Sequence, residues 1–280
     1  MKTLIETRVR DALGIGVRSL MPLGGGCVGD VRRGMLDDGR SVVVKQAPGV
    51  GVEGRMLGDL RGLVPVPEVL FFDHDLLVMA YVEHDGRLGD SAQRHAGELL
   101  AGLHDIAAPR YGYIYDTPLG GLAQPNGWDE DWVRFFSDRR VLAMGDQAAS
   151  AGRIGARTRA RIGALCDGPM RELLGEAQRP GLIHGDVWSG NVLGLGGRIA
   201  AFIDPAVCFA DPELELAFIT LFGTFGRAFF DRYQELRPIR EGFFECRRDV
   251  YNLYPLLVHA RLFGGGYERS IIETLGKLGL

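Results

Sequence analysis

The chain carries 280 residues, 46% of them hydrophobic and 24% charged, with a net charge of −4 and four cysteines. That size supports a sizeable core in one large domain or two lobes, and the small acidic excess argues against nucleic acid as the main partner, because no surplus of cations exists to displace phosphate counterions. No apolar run approaches the roughly twenty residues of a membrane span, the mixed-charge N-terminus lacks a signal-peptide core, and Cys27, Cys166, Cys208 and Cys246 form no CxxC pair, so the expectation is a cytoplasmic protein with reduced thiols and no membrane partner.

In chain order, residues 1–13 predict a helix with Leu4, Ile5, Val9 and Leu13 on one stripe. Val17 to Leu23 predicts a strand, Gly24-Gly25-Gly26 interrupts it, and Val28 to Met35 resumes the extended pattern. Asp37-Asp38-Gly39 reads as a hairpin turn and Ser41 to Lys45 as the next strand. Three glycines between two strands let the backbone approach a ligand closely and leave amides free for phosphate oxygens. With 41 glycines in the chain, such a cluster is weak evidence by itself. Lys45 strengthens it, because it closes the run Val42-Val43-Val44 on the face of Val43, and a partly enclosed ammonium needs an anion. A solvated edge-strand lysine is the plainer alternative.

Glu53, at the start of a helix predicted over 52–63, is the expected salt-bridge partner of Lys45, with Asp59 as a competitor in the same helix. Pro65-Val66-Pro67 ends that helix. A second hairpin is predicted over 68–73 and 76–82. Its last strand resembles a kinase hinge, which implies that Met79 lines an adenine pocket and that the backbone of Ala80 and Val82 bonds the base; a buried edge strand is the plainer reading. His84-Asp85-Gly86 marks the change from a strand-rich part, 1–83, to a mainly helical part, 84–280.

In the helical part, residues 96–106 form an amphipathic helix ending at His104, which reads as a cap or packing residue, and residues 111–123 read as a compact loop rich in Gly and Tyr. Leu182-Ile183 ends a buried strand, His184-Gly185-Asp186 and Asn191 follow, and a hairpin turned at Gly194 to Gly197 brings Asp204 back towards them. One Asn and two Asp suit phosphoryl transfer from ATP, which needs a base for a hydroxyl proton and oxygen ligands for Mg²⁺. In kinases the base Asp precedes a metal-binding Asn by five positions, and a second metal-binding Asp follows on the next strand. Asp186 as base, with Asn191 and Asp204 as metal ligands, keeps that order. Gly24, Gly25, Gly26 and Lys45 would then face the phosphates. The competing reading is a polar loop with Asp204 as a turn residue before Pro205.

The segments GGGC at 24–27, QPNGW at 124–128, WVRFFSDRR at 132–140, HGDVWSGN at 184–191, IDPAVCFADPELELA at 203–217 and YNLYPLLVHARLFGGGY at 251–267 together resemble the fructosamine kinase (ketosamine-3-kinase) family. Trp188-Ser189 stands where the related aminoglycoside and choline kinases usually carry His-Pro or a similar pair. The resemblance implies an α+β, two-lobed protein-kinase-like fold, with a small antiparallel-sheet N-lobe over 1–83 and a mainly helical C-lobe over 84–280. It implies transfer of a phosphoryl group from ATP, with Mg²⁺, to the 3-hydroxyl of a ketosamine, after which the adduct decomposes and frees the amine. It also implies that Trp188 offers a flat face near the sugar or its amine substituent, and that Glu213 or Glu215 meets the cationic amine. On a helix those two acids point nearly opposite ways, and Glu213 is the favoured one.

By the same resemblance Asn126 and His259 belong to the substrate wall; the plainer readings are a loop pinned by Asn126 and Trp128, and a core histidine. Cys27 admits either a monomer or a redox-sensitive dimer. Val207-Cys208-Phe209-Ala210 and Pro212 depart from the family pattern and leave the preferred substrate open. Two alternatives stand beside this reading: a related kinase acting on an aminoglycoside, choline or homoserine, and a non-catalytic pseudokinase, against which the intact set Lys45, Asp186, Asn191 and Asp204 argues.

Overall fold

The computed structural model describes residues 4–24 and 29–280. The chain begins with α1 (Leu4–Leu13), then β1 (Val17–Pro22), β2 (Asp30–Leu36), β3 (Ser41–Gln46), α2 (Gly51–Leu60), β4 (Val69–Phe72) and β5 (Leu76–Ala80). These five strands make one antiparallel sheet in the order β1-β2-β3-β5-β4. Strand alternation in the valine run of β3 separates two small cores. Val42 and Val44 pack with Ile5 and Val9 of α1, and Val43 packs with Leu57 of α2 and Met79 of β5. Lys45 shares the Val43 face and is 8% exposed.

After an extended connection over 81–89 come α3 (Asp90–His104), the short hairpin β6 (Thr117–Leu119) and β7 (Leu122–Gln124), then α4 (Trp132–Phe136), α5 (Ala143–Ser150), α6 (Ala156–Asp167) and α7 (Met170–Leu174). The β6–β7 hairpin lies within the stretch expected to be a loop. β8 (Gly181–Ile183), β9 (Val192–Leu195), β10 (Arg198–Phe202) and β11 (Cys208–Ala210) follow as two separate pairs, β8 with β11 and β9 with β10. The chain closes with α8 (Glu213–Leu221), α9 (Arg227–Leu236), α10 (Arg248–Phe263) and α11 (Tyr267–Lys277). None of the described helices is long and apolar enough to cross a membrane.

One large core runs through this second part, from Ala96 and Leu100 of α3 to Leu253 and Leu257 of α10. Met56 and Leu60 of α2 belong to it, so α2 is gripped by the large core on one side and by the sheet on the other. Two π-helical turns interrupt the helices, Ser137–Leu142 between α4 and α5 and Phe243–Arg247 before α10. Such wide turns re-aim side chains out of the normal helical phase. Each carries an arginine, Arg140 and Arg247, that is turned to a buried acceptor.

Candidate active site

β8 is buried throughout and delivers His184, Gly185 and Asp186 to its C-terminal end. The backbone there is locked to the segment before β11, since Ala206 N–H donates to the His184 carbonyl at 2.8 Å. Gly185 has φ 87°, and a Cβ built on it would lie 2.2 Å from the Ala206 oxygen, so only glycine fits. Glu215 of α8 holds the loop from beneath. Its Oε1 accepts Gly185 N–H at 2.6 Å, and its Oε2 accepts His184 N–H at 3.4 Å and His104 Nε2 at 2.8 Å. A carboxylate only accepts, so His104 carries its proton on Nε2 and its Nδ1 accepts from Tyr233 Oη at 2.7 Å.

Asp186 is half-buried as a residue, but its carboxyl lies deep. Asn191 Nδ2 donates to its Oδ2 at 2.8 Å and to its carbonyl at 3.0 Å, leaving Oδ1 of Asn191 as the acceptor end of that amide. Burial first, and Asp204 second, push the Asp186 carboxyl up to about 8, against the pull of the Asn191 hydrogen bond. A carboxylate with that affinity for protons is a stronger base than an exposed one. The hairpin of β9 and β10 returns the chain as expected, and Ile203 N–H donates to the Asn191 carbonyl at 3.0 Å. Asp204 has φ 53°, a left-handed conformation uncommon outside glycine but tolerated by aspartate.

From there Asp204 reaches Lys45, 159 residues away in sequence. Lys45 Nζ also meets Glu53 Oε1 at 2.6 Å. Burial works to lower the Lys45 pKa, but the two carboxylates outweigh it and hold the ammonium above its ordinary value. Burial raises Glu53 above the usual carboxylate range, with Lys45 pulling the other way. Asp59, the competitor in the same helix, instead accepts from the phenols of Tyr113 (3.0 Å) and Tyr115.

Among the described residues, no cluster of three or more His, Cys, Asp or Glu could hold a metal. Asn191 Oδ1 and the Asp204 carboxylate are a two-oxygen set. That suits Mg²⁺, which keeps most of its water and takes one or two protein oxygens together with substrate phosphates.

Of the hinge residues, Met79 is buried on the Lys45 side of the sheet, whereas Ala80 and Val82 are half-buried. Ala80 N–H is already spent on the Glu68 carbonyl at 2.8 Å. Gly24 sits in an exposed turn; Gly25, Gly26 and Cys27 lie outside the described residues.

A narrow cavity opens beside Asp186 between α8 and α10. Leu214, Phe218 and Val258 form its apolar walls, and Gln124, Glu215, Tyr254 and His259 are its polar ones. His259 is on that wall. Glu213 is not, which corrects the favoured choice. It is fully buried on the other side of α8, where Arg240 and Arg247 each grip it with two hydrogen bonds of 2.6–3.0 Å. Asn126 is also corrected. It is fully buried and spends its amide on Arg140, Tyr115 and Thr117, so it pins the loop and does not face the cavity. Trp188 is half-buried with its ring across Gly190 and does not line this cavity.

Sequence reasoning missed Gln124, Tyr254 and Arg140. All three stand inside segments that carried the resemblance, but nothing in a linear pattern says which side chains turn towards the cavity.

Over residues 61–279 the chain matches the model of a family described as fructosamine kinase. It is 35% identical over 209 residues to a probable ketoamine kinase of Synechocystis, covering 72% of this chain and 67% of that one. It is 31% identical over 281 residues to a chloroplastic protein-ribulosamine 3-kinase of Oryza sativa subsp. indica, covering 92% and 78%. Among solved structures, a fructosamine-3-kinase candidate from Thermobifida fusca superposes with a TM-score of 0.87 at 29% identity over 98% of both chains. An aminoglycoside phosphotransferase in complex with ADP and hygromycin B shares the fold, with a TM-score of 0.68 at 18% identity, covering 99% of this chain and 97% of that one.

Proposed function

This chain belongs to the fructosamine kinase family, and from that premise we propose that it transfers the γ-phosphate of ATP to the 3-hydroxyl of a ketosamine. The observation that carries the mechanism is the convergence on Lys45: its ammonium meets Glu53 on one side and Asp204 on the other, and Asp204 lies beside the Asp186–Asn191 pair.

ATP sits between the sheet and the β8–β11 region, with its adenine against Met79 and its phosphates towards Lys45 and the glycine turn. Glu53 holds Lys45 in the charged form that pairs with phosphate oxygens. Asn191 Oδ1 and Asp204 would hold Mg²⁺, which supplies positive charge to the transferring phosphoryl group when bound. Asp186 takes the proton of the attacking hydroxyl, and burial has raised its basicity for that task. Glu215 positions Asp186 through the backbone of the loop. The acceptor lies in the cavity between α8 and α10, which reaches Asp186. The product is a ketosamine 3-phosphate, an adduct that decomposes and releases the amine, so the reaction serves deglycation of a metabolite or a protein.

The test is Asp186→Ala. Turnover should fall by about 10²–10⁴, while the dissociation constant of Mg-ATP stays within about twofold. Equal loss of both would overturn the assignment of Asp186 as base.

A further inference from the structure

The polar groups on the cavity wall share a direction, and it originates at a buried cation. Arg140 is fully buried. A guanidinium can only donate. Its Nη1 gives to the Pro125 and Arg139 carbonyls at 2.6 and 3.2 Å, and its Nη2 gives to Asn126 Oδ1 at 2.5 Å. Asn126 must therefore present Nδ2 to Thr117 Oγ1, at 2.7 Å. Gln124 Nε2 donates to the same Thr117 oxygen at 2.9 Å and to the Ala206 carbonyl at 3.3 Å. A flipped Gln124 would set its own oxygen against that carbonyl, so its Oε1 has to face Tyr254. Tyr254 Oη then donates to Oε1, at 2.8 Å. The hydroxyl proton of Tyr254 is consumed inside the protein, and only its lone pairs remain for the cavity.

His259 reaches the same outcome independently. Its Nδ1 lies 2.8 Å from the Pro255 carbonyl and so carries the proton. Burial lowers its pKa and favours the neutral ring, which leaves Nε2 as a lone pair. Glu215, held below its ordinary pKa by its donors, is an acceptor, and Asp186 is one in the deprotonated form in which it acts as base. Apart from the weak thiol donor of Cys208, each polar side chain on this wall either has no proton to give or has already given it.

We propose that this cavity takes its acceptor substrate as the protonated secondary ammonium, with Tyr254 and His259 as specificity-determining residues and Arg140 and Gln124 as positioning residues that set their polarity. The proposal rests on the ketosamine reading and names the form of substrate that this site takes. A secondary ammonium brings two N–H donors and no lone pair, and a sugar brings hydroxyl protons; both suit a wall of acceptors. An ether oxygen in the place of the nitrogen brings only lone pairs, which face those of Tyr254 and His259 without a bridging proton.

The test compares 1-deoxy-1-propylamino-fructose with its ether isostere, 1-O-propyl-fructose, at fixed pH and saturating Mg-ATP. Wild type should favour the amine in kcat/KM by about 10–100-fold, the range of a hydrogen bond to a charged group. Tyr254→Phe removes the acceptor, and Gln124→Leu frees the Tyr254 proton to point into the cavity. Both should shrink the amine-to-ether ratio several-fold while the KM for ATP stays within about twofold. Equal use of amine and ether by wild type overturns this proposal and leaves ketosamine phosphorylation standing. Use of neither compound overturns both. Variants that slow amine and ether by the same factor reduce Tyr254 and Gln124 to a structural role and overturn it as well.

Discussion

Glu213→Gln separates two roles that the sequence leaves open for this residue. Glu213 is fully buried and accepts four hydrogen bonds, two from Arg240 at 3.0 and 2.9 Å and two from Arg247 at 2.6 and 3.0 Å. Arg240 also reaches Asp211 at 3.1 Å. Replacing the carboxylate with an amide keeps the volume but leaves two guanidinium groups with one acid, Asp211, for two charges. Removing one partner from a buried ion pair costs about 3–5 kcal/mol, because the remaining charge stays desolvated. For a chain of this length that is roughly a 10 °C loss in Tm. The folded fraction should keep its KM for ketosamine within about twofold, since Glu213 faces away from the cavity. Thermal denaturation and steady-state kinetics on the same preparation test both halves. A KM raised more than tenfold with an unchanged Tm would refute the structural assignment and restore Glu213 as the amine's partner.

Three further outcomes follow from the same geometry. Glu215→Gln should lower kcat by about 10²-fold with little change in the KM for ATP, because it loosens the loop that positions Asp186 and leaves the nucleotide residues alone; a rise in the ATP KM alone would contradict it. Burial works to raise the Glu215 pKa, but the His104 hydrogen bond and the other donors outweigh it and hold it below its ordinary value. Its stabilising contribution is present above about pH 4.5 and is lost as pH falls through the folded-state value. The Tm advantage of wild type over Glu215→Gln should therefore shrink in acid, and a constant gap would count against the pairing. Tyr115→Phe should cost about 1 kcal/mol and speed amide exchange over residues 111–116, because it removes one of the two phenols that tie this loop to Asp59 of α2; unchanged exchange would show that the tie is idle.

The parts of the fold that were legible before the structure are those written in local pattern. The valine run of β3, the turn at Asp37-Asp38-Gly39 and the spacing of Asp186, Asn191 and Asp204 each depend on neighbours within a few residues. The pairing of Lys45 with Glu53 is met in the structure, whereas the contact of Lys45 with Asp204 across 159 residues was not foreseen. What stayed illegible depends on which distant element covers a given face. Helical phase says that Glu213 and Glu215 point apart, but not that Arg240 and Arg247 wait on one side and His104 on the other. A buried acid needs a cation, and the basic residues of RPIREGFFECRR were the available signal. Asn126 was misassigned because membership of a motif says nothing about side-chain direction, and its partner Arg140 is re-aimed by a π-helical turn that no periodicity announces. The β6–β7 hairpin was missed because three-residue strands are too short to show an alternation.

The most direct test of the central claim is the position of the phosphate on the product. Wild type, Mg-ATP and a synthetic fructosamine or ribulosamine are incubated, and the product is examined by phosphorus-coupled NMR. The account predicts a monophosphate on the 3-oxygen of the ketose, formed by wild type and not by Asp186→Ala. Phosphate on another oxygen, or no ketosamine product alongside turnover of an aminoglycoside, choline or homoserine, would contradict it.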